Sequence, residues 1–251
     1  MSKTPEWRIG CSGYQYKEWR DFFYPDHLIQ KNWFSFYAQR FNTVEINNSF
    51  YQFPRLPALQ NWFQNSPDDF IFSIKVPRLI THYKKFNGTE TMLKEFYDVV
   101  LHGLGKKLGA VLFQLPPQVN YNQLMLQKII DALDPSFTNV VEFRHPSWWK
   151  EVVYEKLGNS NIVFCGSSHP KLPNDVIVNT PLVYYRFHGV PTLFYSAYDE
   201  DFIEAKAMEA SADNRERRIY FYFNNTAGPG ALKNAQHLQK FLGLQPLPAR
   251  V

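Results

Sequence analysis

The chain has 251 residues, 45% of them hydrophobic and 20% charged, a balance that fits a globular protein and excludes a disordered or fibrous one. Its formal net charge of +4 is compatible with an anionic substrate but falls well short of a dedicated nucleic-acid binder. Two cysteines, Cys11 and Cys165, both in apolar runs, exclude a disulfide framework and a cysteine-based metal knuckle. No apolar run approaches the roughly 18 residues that span a bilayer, and the opening Met1 to Trp7 lacks the apolar core of a signal peptide. A cytoplasmic protein without a membrane partner is the expectation.

Strand-like runs alternate with helical patterns along the chain. Trp7 to Ser12 reads as the first strand, followed by an aromatic loop and a helix around Lys31 to Arg40. Thr43 to Asn47 and Phe70 to Val76 are the next strands, followed by helices at Leu56 to Asn65 and Glu90 to Leu104. Gly109 to Leu115 is the fourth strand, with a helix from Asn122 to Leu133. Asn139 to Arg144 is the fifth, with Ser147 expected to cap a helix reaching Leu157. Ile162 to Gly166, Leu182 to His188 and Arg218 to Asn224 complete eight strands. Helices over Glu200 to Ala212 and Gly230 to Leu242 follow the last two, and residues 245–251 read as a loose tail.

Eight such strands over this length are what a single TIM-like (β/α)8 barrel requires, with no linker dividing residues 1–251. A doubly wound sheet is the competitor. Against it, the first strand leads into Gly13-Tyr14-Gln15-Tyr16 and not into a dinucleotide-binding glycine fingerprint.

Active sites of such barrels lie at the C-terminal ends of the strands. Those ends carry Ser12, Glu45, Asn47, Lys75, Gln114, Glu142, Arg144, His145, Ser167, Arg186, His188, Asn224 and Asn225. Side chains alternate along a strand, so Glu45 pairs in facing with Asn47, Glu142 with Arg144, and Arg186 with His188. If the intervening apolar residues face the helices, the polar sets converge inside the mouth. They could form a working site, or a plug of buried pairs such as Glu45 with Arg186. Buried ion pairs stabilise weakly compared with apolar packing, which favours the working site.

Lys75, Arg144 and Arg186 against two glutamates suit an anionic ligand, most simply a phosphate or carboxylate. The loop Asn224 to Gly230, opening into the last helix, adds a second place where phosphate could bind. His188, Glu142 and Glu45 are candidates for proton transfer. Tyr14, with other aromatics on the loops, could contact a ring. No cofactor is expected; Glu45, Glu142, His145 and His188 could hold a divalent metal, although no metal-binding spacing occurs.

Gly10-Cys11-Ser12-Gly13-Tyr14, Thr43 to Tyr51, Phe72-Ser73-Ile74-Lys75 and Leu112 to Pro117 together resemble the YecE-like family, domain of unknown function 72 (DUF 72). So do Glu142 to Trp148, Tyr185-Arg186-Phe187-His188-Gly189 and Tyr222-Phe223-Asn224-Asn225. The resemblance runs from about Trp7 to Leu242 and implies a TIM-like barrel without supplying a reaction. The segment after the sixth strand, including His169, departs from the family pattern.

The leading expectation is an enzyme, a hydrolase or isomerase, acting on a phosphorylated or otherwise anionic substrate that could be a nucleotide or nucleic acid. Acid/base chemistry on a neutral carbohydrate by Glu45 and Glu142 is one alternative. A non-catalytic module binding a small anion or nucleic acid is the other.

Overall fold

The computed structural model describes residues 5–212 and 216–244. The tail expected at 245–251 lies outside them. Eight strands occur in sequence: β1 (Glu6–Cys11), β2 (Thr43–Ile46), β3 (Ile71–Lys75), β4 (Leu108–Gln114), β5 (Asn139–Glu142), β6 (Val163–Ser168), β7 (Leu182–Phe187) and β8 (Arg218–Phe223). All seven registered pairings are parallel, in the order β1-β8-β7-β6-β5-β4-β3-β2.

The remaining seam, between β1 and β2, is bridged by side chains. Asn42 accepts the Ile9 N–H at 3.0 Å and donates to Trp7 O at 2.8 Å. Tyr37 Oη receives the Cys11 N–H at 2.7 Å and donates to Thr43 O at 3.0 Å. Gly10 permits this approach, because a Cβ there would stand 2.2 Å from Thr43 O. The result is the expected TIM-like barrel.

Helices α1 (Trp33–Ala38), α2 (Leu56–Gln64), α3 (Glu90–Leu104), α4 (Gln123–Ala132) and α5 (Glu151–Asn159) follow β1 to β5; α6 (Glu200–Ala210) and α7 (Gly230–Phe241) follow β7 and β8. Residues 169–181 join β6 to β7 without a helix. Pro170, Pro173 and Pro181 deprive that segment of backbone donors.

Ser147 does not cap α5, whose N-cap is Lys150. It lies in a single 3-10 turn, Pro146–Trp148, where its Oγ accepts the Tyr121 N–H. Trp148 accounts for the delay: it is wholly buried, stacks 4.0 Å from Phe143 and donates to Val119 O, so the chain is anchored inward before the helix can start.

Strand parity divides the core in two. Ile9, Val44, Ile46, Phe72, Ile74, Val111, Phe113, Val141, Phe143, Val183, Phe187, Phe221 and Phe223 pack outward beneath the helices. Ala110, Leu112, Val140, Val163, Cys165, Leu182, Tyr184, Tyr220 and Tyr222 fill the interior. Both cysteines are free and buried. Above this interior filling, the same inward positions turn polar.

Candidate functional site

The transition begins with hydroxyls. Tyr222 Oη lies 2.6 Å from Thr43 Oγ1 and 2.9 Å from Ser73 Oγ. Tyr184 Oη donates to Glu45 Oε2 at 2.6 Å, which links this layer to the charges above.

Arg186 is the centre of those charges. Its Nη2 donates to Glu45 Oε1 at 2.6 Å and its Nη1 to Glu142 Oε2 at 2.7 Å. One guanidinium thus ties carboxylates contributed by β2 and β5. Burial opposes its charge, but the two glutamates outweigh that and raise its pKa. Glu45 also accepts from Ser12 Oγ at 2.7 Å and from Asn47 Nδ2 at 3.1 Å. Glu142 Oε1 meets His188 Nε2 at 2.7 Å and Arg144 Nη2 at 3.2 Å. Burial would raise the pKa of Glu142, yet Arg144, Arg186 and His188 prevail and hold its carboxyl well below the usual range.

His188 has the Asn224 amide nitrogen 2.8 Å from its Nδ1. Its Nε2 lies 2.7 Å from Glu142 Oε1 and 3.2 Å from Arg144 Nη2; the shorter contact, to a group that only accepts, favours the proton on Nε2, with Nδ1 accepting from Asn224. Burial, reinforced by Arg144 and Arg186, keeps it neutral well below the ordinary histidine pKa. Gly189, at φ +92°, turns the chain immediately afterwards, and its N–H donates to Tyr198 Oη at 2.8 Å.

Exposure separates Arg144 and Lys75 from the rest of the cluster. Glu45, Glu142 and His188 are wholly buried and Arg186 is 1% exposed, whereas the Arg144 side chain is 10% and Lys75 7% exposed. Lys75 Nζ donates to Gln114 Oε1 at 2.5 Å and lies 4.0 Å from the Phe50 ring centroid. Burial, with Arg186 and Arg144 nearby, lowers its pKa to about 7. At the rim, burial together with Lys75, Arg144 and Arg78 lowers His82 to about 4, and burial with Arg144 and Lys171 lowers His169 to about 4. Two histidines on different loops therefore sense a positive field.

Most of the residues named from the sequence meet here: Glu45, Asn47, Lys75, Gln114, Glu142, Arg144, Arg186, His188 and Asn224. His145 borders them, half-buried, with its Nδ1 engaged by Ser147. Tyr14 does not join: it is buried in the first loop between Phe34 and Tyr37, and its Oη accepts from Trp62 Nε1. Asn225 is also elsewhere, with its amide nitrogen bonded to Ser196 O and Asn234 Oδ1. The loop Asn224 to Gly230 is packed down: the Ala227 N–H donates to Phe194 O, and Gly228 O accepts from Trp19.

Ser12, immediately after β1, joins through Glu45; Tyr184 is not named from the sequence, although it shares a strand face with Arg186 and is legible from parity. His82 and Arg78, on the turn after β3, carried no signal. His169, doubtful from its motif, stands 5.8 Å from His188 between ring centroids.

Among the described residues, no group of three or more His, Cys, Asp or Glu side chains is placed to hold a metal ion. No described helix is long and apolar enough to cross a membrane. A cleft of about 1090 Å³ between α3 and α4 lies outside the barrel and shares no residue with the cluster.

The molecule is thus a parallel β/α barrel whose C-terminal mouth holds a buried ionic network. Residues 8–250 match the family model described as "Protein of unknown function DUF72", and the chain belongs to that family. It is 28% identical over 145 residues to the UPF0759 protein YecE of Escherichia coli K12, covering 57% of this chain and 51% of that protein. It is 27% identical to YunF of Bacillus subtilis over 150 residues, 54% of this chain and 51% of that one. The chain therefore spans about half the length of the curated relatives it matches. A DUF72 family crystal structure from Thermotoga maritima superposes with a TM-score of 0.83 at 26% identity, over 95% of this chain and 99% of that one. A DUF72 protein from Enterococcus faecalis gives 0.78 at 20% identity, over 98% and 99%, and supports the fold alone.

Proposed function

We propose that the barrel mouth binds a phosphorylated or otherwise anionic small molecule and that the protein is an enzyme acting on it. The observation that carries this reading is the ordering of charge: both carboxylates are fully buried while Arg144 and Lys75 keep some exposure, so an approaching ligand meets donors. Arg144 Nε and Asn47 Oδ1 are buried without a hydrogen-bond partner among the described residues, which leaves polar capacity at the same place.

In this reading Arg144 contacts the anion, because it alone among the two mouth arginines reaches the surface. Arg186, Glu45, Glu142 and His188 are positioning residues. Their burial and mutual engagement argue against direct proton transfer to substrate, and an ionised Glu142 is not poised to act as a general acid.

Thermal unfolding against inorganic phosphate, sugar phosphates, nucleotides and neutral sugars tests this. A ligand at 100 times its Kd adds about 2.7 kcal/mol, or roughly 5–10 °C for a chain of this size. A shift from phosphorylated compounds that disappears in Arg144→Met is expected. Equal shifts from neutral sugars, or retention of the shift in Arg144→Met, would remove the reading.

A further inference from the structure

Lys75 differs from the other charged groups of the mouth in lacking a counter-ion. Glu45 and Glu142 are engaged by Arg186, Arg144 and His188, and among the described residues no carboxylate stands within 4.0 Å of Lys75 Nζ. Its Nζ hydrogen-bonds Gln114 Oε1 across β3 and β4, and the Phe50 ring lies 4.0 Å away. The amine sits at the C-terminal end of β3, 7% exposed, where barrel chemistry takes place.

An ammonium in this position loses hydration and faces Arg186 and Arg144, which together outweigh the attraction of the already paired Glu142 and Glu45. A neutral amine keeps a donor for Gln114 and presents its lone pair. The Phe50 ring favours the charged form, but by less than burial and two guanidiniums oppose it, and the balance puts the pKa near 7. The facing groups come from every side of the mouth: Glu45 on β2, His82 after β3, Glu142 and Arg144 at the end of β5, and Arg186 on β7.

We propose that Lys75 is a nucleophilic amine that forms an imine with an aldehyde or ketone carbon of a ligand whose anionic group is held at Arg144. The second half of this statement rests on the anion-binding reading above. The Nζ lone pair adds to the carbonyl carbon, and the C=O π electrons move to oxygen, which takes up a proton. After a second protonation of that oxygen and loss of one N–H proton, the C–O bond breaks and water leaves. The sum is amine plus carbonyl plus one proton giving iminium plus water. The resulting iminium withdraws electrons from the adjacent carbon, the chemistry that lets amines catalyse proton removal or carbon–carbon cleavage beside a carbonyl.

The probe is glycolaldehyde phosphate, compared with unphosphorylated glycolaldehyde, each with cyanoborohydride to reduce the iminium to a stable secondary amine, followed by peptide mass analysis. Exposed Lys94 is the internal control. At pH 7.5, modification of Lys75 at least roughly tenfold faster than of Lys94 is expected, because most of a group with pKa near 7 is then free amine. Its rate should rise with a midpoint near pH 7 in the unaltered protein, a measurement that needs no variant. In folded Lys75→Met the fast modification should be absent.

Failure of Lys75 to react while Lys94 does, or a midpoint near 10, would overturn the proposal. Equal rates with both aldehydes would leave the nucleophilic amine standing and remove the anion contact. A phosphate-dependent rate that persists in Arg144→Met would reassign the anion to other donors.

Discussion

The barrel interior changes character along its axis. At the lower end Ala110, Leu112, Val140, Val163, Leu182 and Tyr220 make a filling of aliphatic and aromatic groups. At the upper end the equivalent inward positions of β2, β3, β4, β5 and β7 carry Glu45, Lys75, Gln114, Glu142 and Arg186. Both ends are closely buried, but they are held by different physics. The lower packing is non-directional and tolerates exchange of similar volumes, whereas the upper network depends on each charge keeping its partner. A barrel selected for stability alone could have continued the lower pattern upward. That it does not is the strongest sign that the mouth has work to do.

The largest effect should come from removing the bridge between the two carboxylates. Arg186→Met leaves Glu45 and Glu142 buried with much of their compensation gone and should cost about 3–5 kcal/mol in denaturant unfolding at pH 7. Adding Glu142→Gln to that variant should recover part of the loss; a double variant worse by the full sum would show that the two groups are not coupled.

In the lower half, Leu112→Ala should cost about 2–5 kcal/mol through lost packing, by an amount that does not change with pH. A strong pH dependence there would contradict the division into two regions.

The pH dependence belongs to the mouth. His188 is held neutral below its ordinary value, so as pH falls through 6.5 the unfolded chain takes up a proton that the folded one refuses, and stability declines. Glu142 is held ionised below its ordinary value, so its contribution is present above about 4.5 and is lost as pH falls towards its folded pKa. Glu142→Gln should remove this second component from the acid limb of an unfolding series.

Lys75, also held below its ordinary value, adds a slope of the same sign on the alkaline side. Between about 7 and 10.5 the unfolded chain keeps the Lys75 proton that the folded chain has released, so stability rises with pH. Wild-type protein should gain up to about 1.4 kcal/mol per pH unit in this window relative to Lys75→Met. Parallel curves for the two proteins would show that the amine titrates normally.

Much of this division was legible in the sequence. Period-two alternation at Val44-Glu45-Ile46, Val141-Glu142-Phe143 and Tyr185-Arg186-Phe187 assigns one set to the helices and the other to the interior, and eight such strands imply the barrel that brings them together. The pairing of Glu45 with Arg186 was foreseeable as one of several possibilities. That the same guanidinium also holds Glu142 was not, because parity specifies a face but not a height; the stagger between strands decides which side chains from β2, β5 and β7 meet. Burial was equally hidden: Arg144 and Arg186 read alike as cations at strand ends, yet one reaches the mouth and the other is enclosed. Tyr14 was misplaced because a loop aromatic carries no periodicity, and here the loop folds back so that Trp62, Phe34 and Tyr37 enclose it.

The most direct test of an anion-binding mouth is anomalous diffraction from crystals soaked in selenate, a tetrahedral dianion that reports its own position. Selenium density is expected within hydrogen-bonding reach of the Arg144 guanidinium in the wild-type protein and should be lost in Arg144→Met, with the Arg186–Glu45–Glu142 network unchanged in both. Selenate bound only elsewhere, with the mouth unoccupied at the same concentration, would contradict it and leave the buried charges as a structural plug.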